Sequence, residues 1–288
     1  MTPLSLEAPA KLNLSLRVVG RRPDGFHLLA TEMVLLELAD RLLLMPGAPG
    51  LRVEAPPGED IPLGQGNLAW RGLVAATGAQ PELICLALEK RIPSGAGLGG
   101  GSSDAAAAWR LGRRAAGAPE EATPGELVSL SDLGADVPFF AARVAVARVA
   151  GIGELVTPMD PPAPDHAVLA HPAFRLSTAA VFSELRPADL AAERPGGNDL
   201  LAPALRLRPE LADLMRHVSD AGGEPRLTGS GSTVFALTDD AERAAALVAS
   251  LQEGGVRVTL TRLRGEPAEI MELGEPPLDA GASAPSMG

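Results

Sequence analysis

Hydrophobic and polar residues alternate through the first part of the chain. In residues 4–20, leucines and valines are separated by Lys, Asn, Ser and Arg, which predicts a half-buried β-strand after a Pro-Ala break. The segment "RRPDGF" has the composition of a turn. Three segments predict further strands, "HLLATEMVLLELADRLLLMP", "LRVEAP" and "ELICLALEKRIP", and the last of them stops at Pro93.

Helical spacing appears in several later segments. "NLAWRGLVAATG" predicts a helix that ends at Gly78, and another helix is predicted from Asp104 to about Ala116. A short helix is expected within "GELVSLSDLGADVPFFAA", and further helices over 177–184 and 199–220. "RVAVARVAGIGELVTPM" and "AVLAHP" indicate strands, and the segment from "STVFAL" to "VRVTLTRL" indicates a strand–helix–strand unit.

This order of elements predicts an α+β protein with two domains. A strand-rich N-terminal domain is expected over residues 1–160 and a smaller domain over 161–265, joined near the linker-like stretch "PMDPPAPDH". Residues 266–288 are rich in Pro, Gly and Glu, which predicts a flexible tail.

Composition narrows the class of protein. The chain of 288 residues is 46% apolar and 21% charged, which is typical of a globular protein with a real core. Its apolar runs are short and interrupted, its N-terminus lacks the features of a signal peptide, and Cys85 is the single cysteine. These features favour a cytoplasmic protein without disulfides or a cysteine-rich zinc site.

Charge argues against polyanionic partners. The formal net charge is −11 and the sequence contains no basic tract, so neither nucleic acid nor an anionic membrane is an expected partner. Of the 25 Lys and Arg residues only Lys11 and Lys90 are lysine, which indicates positions that need a compact ammonium, with chance as the alternative. An anionic ligand would have to be bound by backbone amides, helix ends and a few placed cations.

The stretch "IPSGAGLGGGSSDAAAAW" places five glycines within seven positions, Gly95 to Gly101. It lacks the acidic residue of a dinucleotide-binding unit and the Lys-Ser/Thr of a P-loop, so both of those interpretations are rejected. A strand, a loop of nearly bare backbone and a helix opening at Ser102-Ser103 instead predict a phosphate site. The alternative is a tight turn with an ordinary serine cap.

Four motifs resemble those of the GHMP kinases, the family named for galactokinase, homoserine kinase, mevalonate kinase and phosphomevalonate kinase. They are "PAKLNLSLRVVGRRPDGFH", "PSGAGLGGGSSDAAAAW", "LGADVPFF" and "LTGSGSTVFAL", and together they cover most of residues 8–262. The resemblance implies an N-terminal domain like domain 2 of ribosomal protein S5, packed on a ferredoxin-like C-terminal domain. ATP and substrate would lie in the cleft between them.

The resemblance also implies roles for individual residues. Asp136 would be the catalytic base, with Lys11 beside it; without the family, a turn aspartate and a solvated strand lysine are the ordinary explanations. Phe26 stands where the family usually has Tyr, so a ring for stacking on cytosine is retained and a hydroxyl is lost. The implied ATP-binding residues are Pro93, Ser94, Gly95, Ala96, Gly97, Leu98, Gly99, Gly100, Gly101, Ser102, Ser103 and Lys90. For Lys90, a surface charge at the end of a strand is the alternative. The implied substrate-binding residues are Asn13, Phe26, His27, Thr178, Phe182, Gly229, Ser230 and Gly231.

The activity implied is ATP-dependent phosphorylation of the 2-hydroxyl of 4-diphosphocytidyl-2-C-methyl-D-erythritol, a cytidine diphosphate sugar alcohol of the non-mevalonate isoprenoid route. ATP and Mg²⁺ are the implied cofactors, but the family's glutamate ligand has no evident counterpart and the metal ligands are unknown. The expected assembly is a monomer or weak homodimer. The alternatives are another small-alcohol kinase of the family, which would lack the "RRPDGFH" insert, and a catalytically silent nucleotide sensor.

Overall fold

The computed structural model describes residues 1–59, 61–78, 84–162, 165–190 and 197–274. The strands are β1 (Leu4–Arg21), β2 (His27–Pro46), β3 (Gly50–Glu54), β4 (Ile84–Glu89), β5 (Val146–Gly151), β6 (Leu155–Pro158), β7 (His166–His171), β8 (Arg226–Leu227), β9 (Val234–Thr238), β10 (Arg257–Arg262) and β11 (Met271–Glu272). The helices are α1 (Leu68–Thr77), α2 (Gly100–Ala115), α3 (Pro124–Ser131), α4 (Val137–Ala141), α5 (Thr178–Ser183), α6 (Leu201–Leu207), α7 (Glu210–Asp220) and α8 (Ala241–Glu253). The predicted α+β class is confirmed.

The early alternating segments form one sheet with the order β11-β1-β2-β4-β3, to which β5 is added beside β2 and β6 beside β5. β3 pairs with β4 in parallel, and the other pairs are antiparallel. The predicted break at Pro9-Ala10 is wrong, because β1 continues through it. A register shift between Pro9 and Lys11 accommodates the missing N–H of the proline.

Two helices cover the core side of this sheet. α1 ends at Gly78 as predicted, in the left-handed conformation that glycine adopts easily. α2 begins at Gly100 rather than at the predicted Asp104, because Gly99 has a φ of 71° and turns the chain directly into the helix. The two helices pack closely: a Cβ on Gly72 would lie 2.1 Å from the carbonyl oxygen of Ala105.

The second sheet has the order β10-β7-β9-β8 and is antiparallel throughout. The helical segment predicted over 199–220 is divided into α6 and α7, because Pro209 cannot continue a helix from Arg208. These two helices and α8 bury a separate apolar core against the sheet, which includes Leu200, Leu211 and Leu247.

Another apolar cluster joins the two sheets. It contains Leu12 and Leu36 from the first sheet, Leu98 from the glycine loop, and Leu169 and Phe235 from the second sheet. The glycine loop therefore lies where the two halves of the molecule meet.

Part of the predicted flexible tail, residues 266–274, contacts the first sheet and α2. β11 pairs with β1, and the carbonyl oxygen of the buried Ala268 accepts a hydrogen bond from Arg110 at 2.9 Å. Tertiary contacts here outweigh a composition that favours a loop. Residues 275–288 of the predicted tail lie outside the described residues.

Candidate active site

The glycine loop takes backbone conformations that only glycine adopts without strain. Gly95, Gly97 and Gly99 have φ values of 66°, 78° and 71°. Gly97 also packs against the segment "LTGSGSTVFAL" (residues 227–237), here called the third glycine-rich segment, since a Cβ there would lie 2.5 Å from the carbonyl oxygen of Thr228. The loop is further fixed by a hydrogen bond from the Lys11 backbone N–H to the carbonyl oxygen of Leu98 at 3.0 Å.

The loop leads into α2 without a side-chain cap. Gly99 is the N-cap residue, and the first intrahelical bond runs from the Ser103 N–H to the Gly99 carbonyl oxygen at 2.9 Å. The N–H groups of Gly100, Gly101 and Ser102 therefore have no intrahelical acceptor, and they lie at the positive end of the helix dipole. The alternative of an ordinary serine cap is wrong, because both serines lie inside the first turn.

Lys11 and Asp136 meet across the floor of a cleft. The Lys11 ammonium lies 3.5 Å from Asp136 Oδ2 and donates hydrogen bonds to Asn13 Oδ1 at 2.5 Å and to the Gly97 carbonyl oxygen at 2.9 Å. Lys11 is only 2% exposed, so it is not a solvated strand lysine. Asp136 precedes α4 but makes no capping hydrogen bond, and its side chain is 28% exposed toward the cleft. Neither ordinary explanation fits these two residues.

Asn13 is oriented by two further hydrogen bonds. Its Nδ2 donates to Thr31 Oγ1 at 2.8 Å, and its backbone N–H donates to Thr228 Oγ1 at 3.2 Å. These bonds leave Oδ1 facing Lys11, so the amide helps hold the ammonium in place.

Lys90 is buried between two carboxylates, so the alternative of a strand-end surface charge is wrong. Its ammonium donates to Asp104 Oδ2 at 2.7 Å and to Asp40 Oδ2. Burial raises the pKa of Asp104 to about 8, with the negative charge of Asp40 adding to the shift. Burial alone would lower the pKa of Lys90, but Asp104 and Asp40 raise it above its usual range. When Asp104 is protonated, the charges of Lys90 and Asp40 cancel. The cluster then has no net positive charge to offer a ligand.

A cavity of about 600 Å³ opens between the two sheets and collects most of the predicted site. The predicted residues that line it are Lys11, Asn13, Lys90, Pro93, Ser94, Gly95, Ala96, Gly97, Leu98, Gly99, Gly100, Gly101, Ser102, Asp136, Thr178, Phe182, Gly229 and Ser230. Ser103, Gly231, Phe26 and His27 are not among the lining residues. Ser103 lies on the buried face of α2, and Gly231 faces Leu227 and Leu176.

Of the predicted aromatic residues, Phe182 lines the cavity and His27 packs against it. The rings of His27 and Phe182 are stacked with centroids 5.0 Å apart. Phe26 points outward from the turn and is 62% exposed, so His27 and not Phe26 is the partner of Phe182. Burial, with a smaller effect of Arg21, lowers the pKa of His27 below its usual value, which favours the neutral imidazole. Nearby, the hydroxyls of Thr178 and Ser230 are hydrogen-bonded at 2.9 Å.

Sequence reasoning missed several residues of the site. Ile61, Pro62, Asn67, Leu68 and Ile92 line the other end of the cavity, near Lys90 and the start of α2. Asn67 is the N-cap of α1 and could have been recognised as such, but its place beside the cavity is set by packing.

The sequence pair Asn198-Asp199, for which a helix cap is the ordinary interpretation, also makes contacts between distant segments. Asp199 accepts a hydrogen bond from the Val18 N–H at 2.9 Å and pairs with Arg17 at 3.1 Å. Asn198 donates to the carbonyl oxygens of Leu227 and Gly229 at 2.9 and 2.8 Å. These bonds connect β1 with the third glycine-rich segment.

Comparison with family models identifies both halves of the chain. Residues 67–143 match the GHMP kinases N terminal domain, and residues 182–257 match the GHMP kinases C terminal domain. The first match contains α2 and Asp136, and the second contains Phe182 and the third glycine-rich segment.

Similar proteins cover nearly the whole chain. A 4-diphosphocytidyl-2-C-methyl-D-erythritol kinase of Dinoroseobacter shibae is 37% identical over 86% of this chain and 90% of its own length. The enzyme of that name from Thermus thermophilus is 39% identical over 86% of this chain and 92% of its own. A crystal structure of 4-(cytidine 5'-diphospho)-2C-methyl-D-erythritol kinase superposes with a TM-score of 0.72 at 37% identity, covering 91% of this chain and 99% of that one. A homoserine kinase from Cytophaga hutchinsonii shares the fold, with a TM-score of 0.68 at 17% identity over 94% of this chain and 98% of its own.

Proposed function

This chain belongs to the GHMP kinase family, and within it to the 4-diphosphocytidyl-2-C-methyl-D-erythritol kinases, and from that membership we infer its reaction. It is an ATP-dependent kinase that phosphorylates the 2-hydroxyl of 4-diphosphocytidyl-2-C-methyl-D-erythritol in isoprenoid precursor synthesis. The observation that carries the assignment is the Lys11–Asp136 pair, which faces the uncapped N-terminus of α2 across one cavity.

The phosphates of ATP are assigned to the first turn of α2. Three N–H groups there have no intrahelical acceptor, and the helix dipole adds positive potential at the same point. The adenine is assigned to the apolar end of the cavity beside Ile61, Leu68 and Ile92. This placement directs the γ-phosphate toward Asp136.

Asp136 is assigned as the acceptor of the alcohol proton. The 2-hydroxyl oxygen attacks the γ-phosphorus, its proton passes to the Asp136 carboxylate, and the bond between the γ-phosphorus and the bridging oxygen of ADP breaks. The Lys11 ammonium, 3.5 Å from Asp136, stabilises the negative charge that develops on the attacking oxygen. Asn13 holds the ammonium at this position.

The cytidine end of the substrate is assigned to the aromatic end of the cavity. Phe182 supplies a ring face, and Thr178 and Ser230 supply hydroxyls between that ring and the catalytic pair. Because every base has a π-face, stacking does not distinguish cytosine from uracil. The neutral imidazole of His27 both donates and accepts hydrogen bonds, so it is the residue assigned to the base edge.

Mg²⁺ is proposed to accompany ATP and to neutralise phosphoryl charge. The described residues contain no group of three His, Cys, Asp or Glu side chains that could hold a metal by themselves. This fits Mg²⁺ in kinases, where substrate phosphates and water supply most ligands. The hydroxyl of Ser102, at the start of α2, is the protein ligand proposed here.

Finer features of the protein are proposed with the function. The N-terminal domain, residues 1–160, is assigned as like domain 2 of ribosomal protein S5, and residues 161–265 as ferredoxin-like, supported by a four-stranded antiparallel sheet with covering helices. A cytoplasmic monomer or weak homodimer is proposed. None of the helices in the described part of the chain is long and apolar enough to span a lipid bilayer.

The test is turnover of a panel of alcohols with ATP and Mg²⁺, followed by ADP release and product mass. The panel contains the cytidine diphosphate substrate, its uridine analogue, mevalonate and homoserine. Phosphorylation of the cytidine compound is expected. Phosphorylation of mevalonate or homoserine alone would assign another activity of the family, and ATP binding without any turnover would indicate a nucleotide sensor.

A further inference from the structure

The described cavity has little positive charge to offer a nucleotide. Its charged lining residues are Lys11, Lys90, Asp104 and Asp136. Lys90 is neutralised by Asp40 behind it and donates a hydrogen bond to Asp104, and Lys11 is paired with Asp136. Since ATP brings several negative charges, the N–H groups of α2 and Mg²⁺ would have to neutralise them without a free cation from the lining.

Arg175 is a cation at the rim of this cavity. Its aliphatic stem lies along the glycine loop, where the Cδ atom is 3.5 Å from the position that a Cβ on Gly95 would occupy. Its guanidinium is 52% exposed and pairs with Glu59, whose side chain is 14% exposed, at 2.9 Å. Gly95 itself lines the main cavity. The Arg175 guanidinium is therefore held next to the phosphate loop by a carboxylate.

The two partners come from opposite sides of the loop. Glu59 follows β3 in the N-terminal half, and Arg175 lies between β7 and α5 in the C-terminal half. Both residues line a second cavity of about 360 Å³, which shares Ser94 and Ala96 with the main one. The ion pair thus lies in a cavity that adjoins the glycine loop.

We propose that Arg175 binds the phosphates of the nucleotide, and that Glu59 holds its guanidinium at the rim until ATP arrives. The proposal rests on the function proposed above. A part-exposed ion pair is weak and exchanges readily, whereas a guanidinium binds phosphate oxygens with two parallel hydrogen bonds. Because the stem already lies on Gly95, rotation of the terminal torsions moves the guanidinium from the carboxylate to the loop.

The experiment measures direct binding of ATP, ADP and AMP to the whole chain by calorimetry, at two salt concentrations. Arg175→Met is expected to raise the Kd for ATP about 3- to 10-fold, as for one charge-assisted contact in a part-exposed site. The effect is expected to be smaller for ADP and absent for AMP, and the salt dependence of ATP binding is expected to decrease. Glu59→Gln removes the competing carboxylate and is expected to lower the Kd for ATP.

The matched control is Arg257→Met. Arg257 is an exposed arginine of β10 that lines the second cavity as Arg175 does, but it is Arg175 whose stem packs on Gly95, so loss of Arg257 is expected to leave all three Kd values unchanged. Thermal unfolding of each variant checks that the fold is retained, and Arg175→Lys checks that a charge at this position restores part of the affinity.

Several outcomes would overturn the proposal. They are wild-type ATP affinity in Arg175→Met, an equal loss for ATP and AMP, an equal loss in Arg257→Met, and a rise confined to the KM of the cytidine diphosphate substrate. Absence of ATP binding by the wild type would instead refute the proposed function, and this inference with it. The two failures are therefore distinguishable.

Discussion

At the scale of single residues, the catalytic pair is defined by what surrounds it. Lys11 is enclosed on a buried strand, yet its ammonium reaches Asp136, Asn13 and the Gly97 carbonyl oxygen. A buried charge is tolerated only with such partners. Asp136 makes no capping bond of its own, so its carboxylate is available for a proton.

Asp136→Asn is expected to reduce kcat by about 10²- to 10⁴-fold, because it keeps the shape and removes the base. The Kd for ATP is expected to stay constant, since the phosphates are assigned to α2. Steady-state kinetics and calorimetry measure the two quantities, and Asp132→Asn, an exposed neighbour, is the control. A kcat that stays within about threefold of the wild type would exclude a required base.

Lys11→Arg is expected to be nearly as damaging to kcat as Lys11→Ala. The Lys11 stem lies 3.0 Å from the position of a Cβ on Gly99, and its ammonium already contacts three oxygens. The wider, planar guanidinium does not fit such a site. The kcat values of the three proteins decide this point, and full activity of the arginine variant would show that the scarcity of lysine is a coincidence.

The residues assigned to the cytosine of the substrate give a prediction about substrate specificity. Phe182→Ala is expected to weaken cytidine and uridine substrates alike, by about 1–3 kcal/mol for lost stacking. His27→Ala is expected to remove the preference for cytidine. Phe26→Ala is expected to have a smaller, base-independent effect because that ring is exposed, and Phe26→Tyr is expected to be neutral.

The measurement is KM for both diphosphonucleoside substrates on the wild type and these four variants. Selective loss of cytidine preference in Phe26→Ala would contradict the assignment, and it would mean that Phe26 shapes the loop that contacts the base edge.

At the scale of elements, the buried charge cluster joins β4 to α2. Lys90 follows the end of β4, Asp40 belongs to β2, and Asp104 lies in the second turn of α2. Asp40 also accepts hydrogen bonds from the N–H groups of Arg91 at 2.5 Å and Ile92 at 2.8 Å. The cluster therefore fixes the direction in which α2 and its N-terminal N–H groups point.

Lys90→Met is expected to lower the free energy of unfolding by about 3–5 kcal/mol, because it leaves buried carboxylates without their cation. Asp104→Asn is the matched control, and its cost is expected to be smaller because a carboxyl with a pKa of about 8 is mostly protonated at neutral pH. Urea unfolding measures both. Unchanged stability of Lys90→Met together with weak ATP binding would assign the ammonium to the nucleotide instead.

The Asp104→Asn variant also tests how the stability of the protein depends on pH. Folded Asp104 keeps its proton up to a pH of about 8, whereas the unfolded group loses it near its ordinary pKa of 3.8. The native state binds more protons in this window, so Asp104 makes the protein less stable as the pH rises through it. Asp104→Asn is expected to remove that contribution to the slope of stability against pH.

At the scale of the whole molecule, the cavity exists because two sheets share one apolar cluster beside the glycine loop. The chain then returns to the first domain at its end, through Ala268 and β11. The Leu273 N–H donates a hydrogen bond to the Pro3 carbonyl oxygen at 2.9 Å, which holds the segment after β11 beside the start of β1.

A chain ended at Gly265 is expected to be less stable than one ended at Gly274. The shorter chain loses the strand beside β1 and leaves the buried Arg110 without the Ala268 carbonyl oxygen, a loss of about 1–3 kcal/mol for the unpaired group alone. Urea unfolding of the two truncated chains makes the comparison. Equal stability would mean that residues 266–274 are as loosely held as their composition indicates.

The sequence by itself determined the local chemistry of this protein. The glycines at positions 95, 97 and 99 and at the end of α1 follow from backbone sterics, which act within a few residues. Alternation predicted most strands for the same reason. The motifs also identified the family, because each keeps its residue types within a short segment.

Only the tertiary structure decided which of these segments meet. Alternation assigns a side chain to a face but not to a partner. It puts Lys11 on a polar face, and it is the family resemblance that implies a place beside Asp136, where the structure buries the ammonium. The burial of Lys90 between Asp40 and Asp104, the pairing of Phe182 with His27, and the position of Arg175 beside Gly95 all depend on contacts between distant segments. Charge neutralisation and ring packing depend on the distances between side chains in space. The pattern of residues along the chain does not contain those distances.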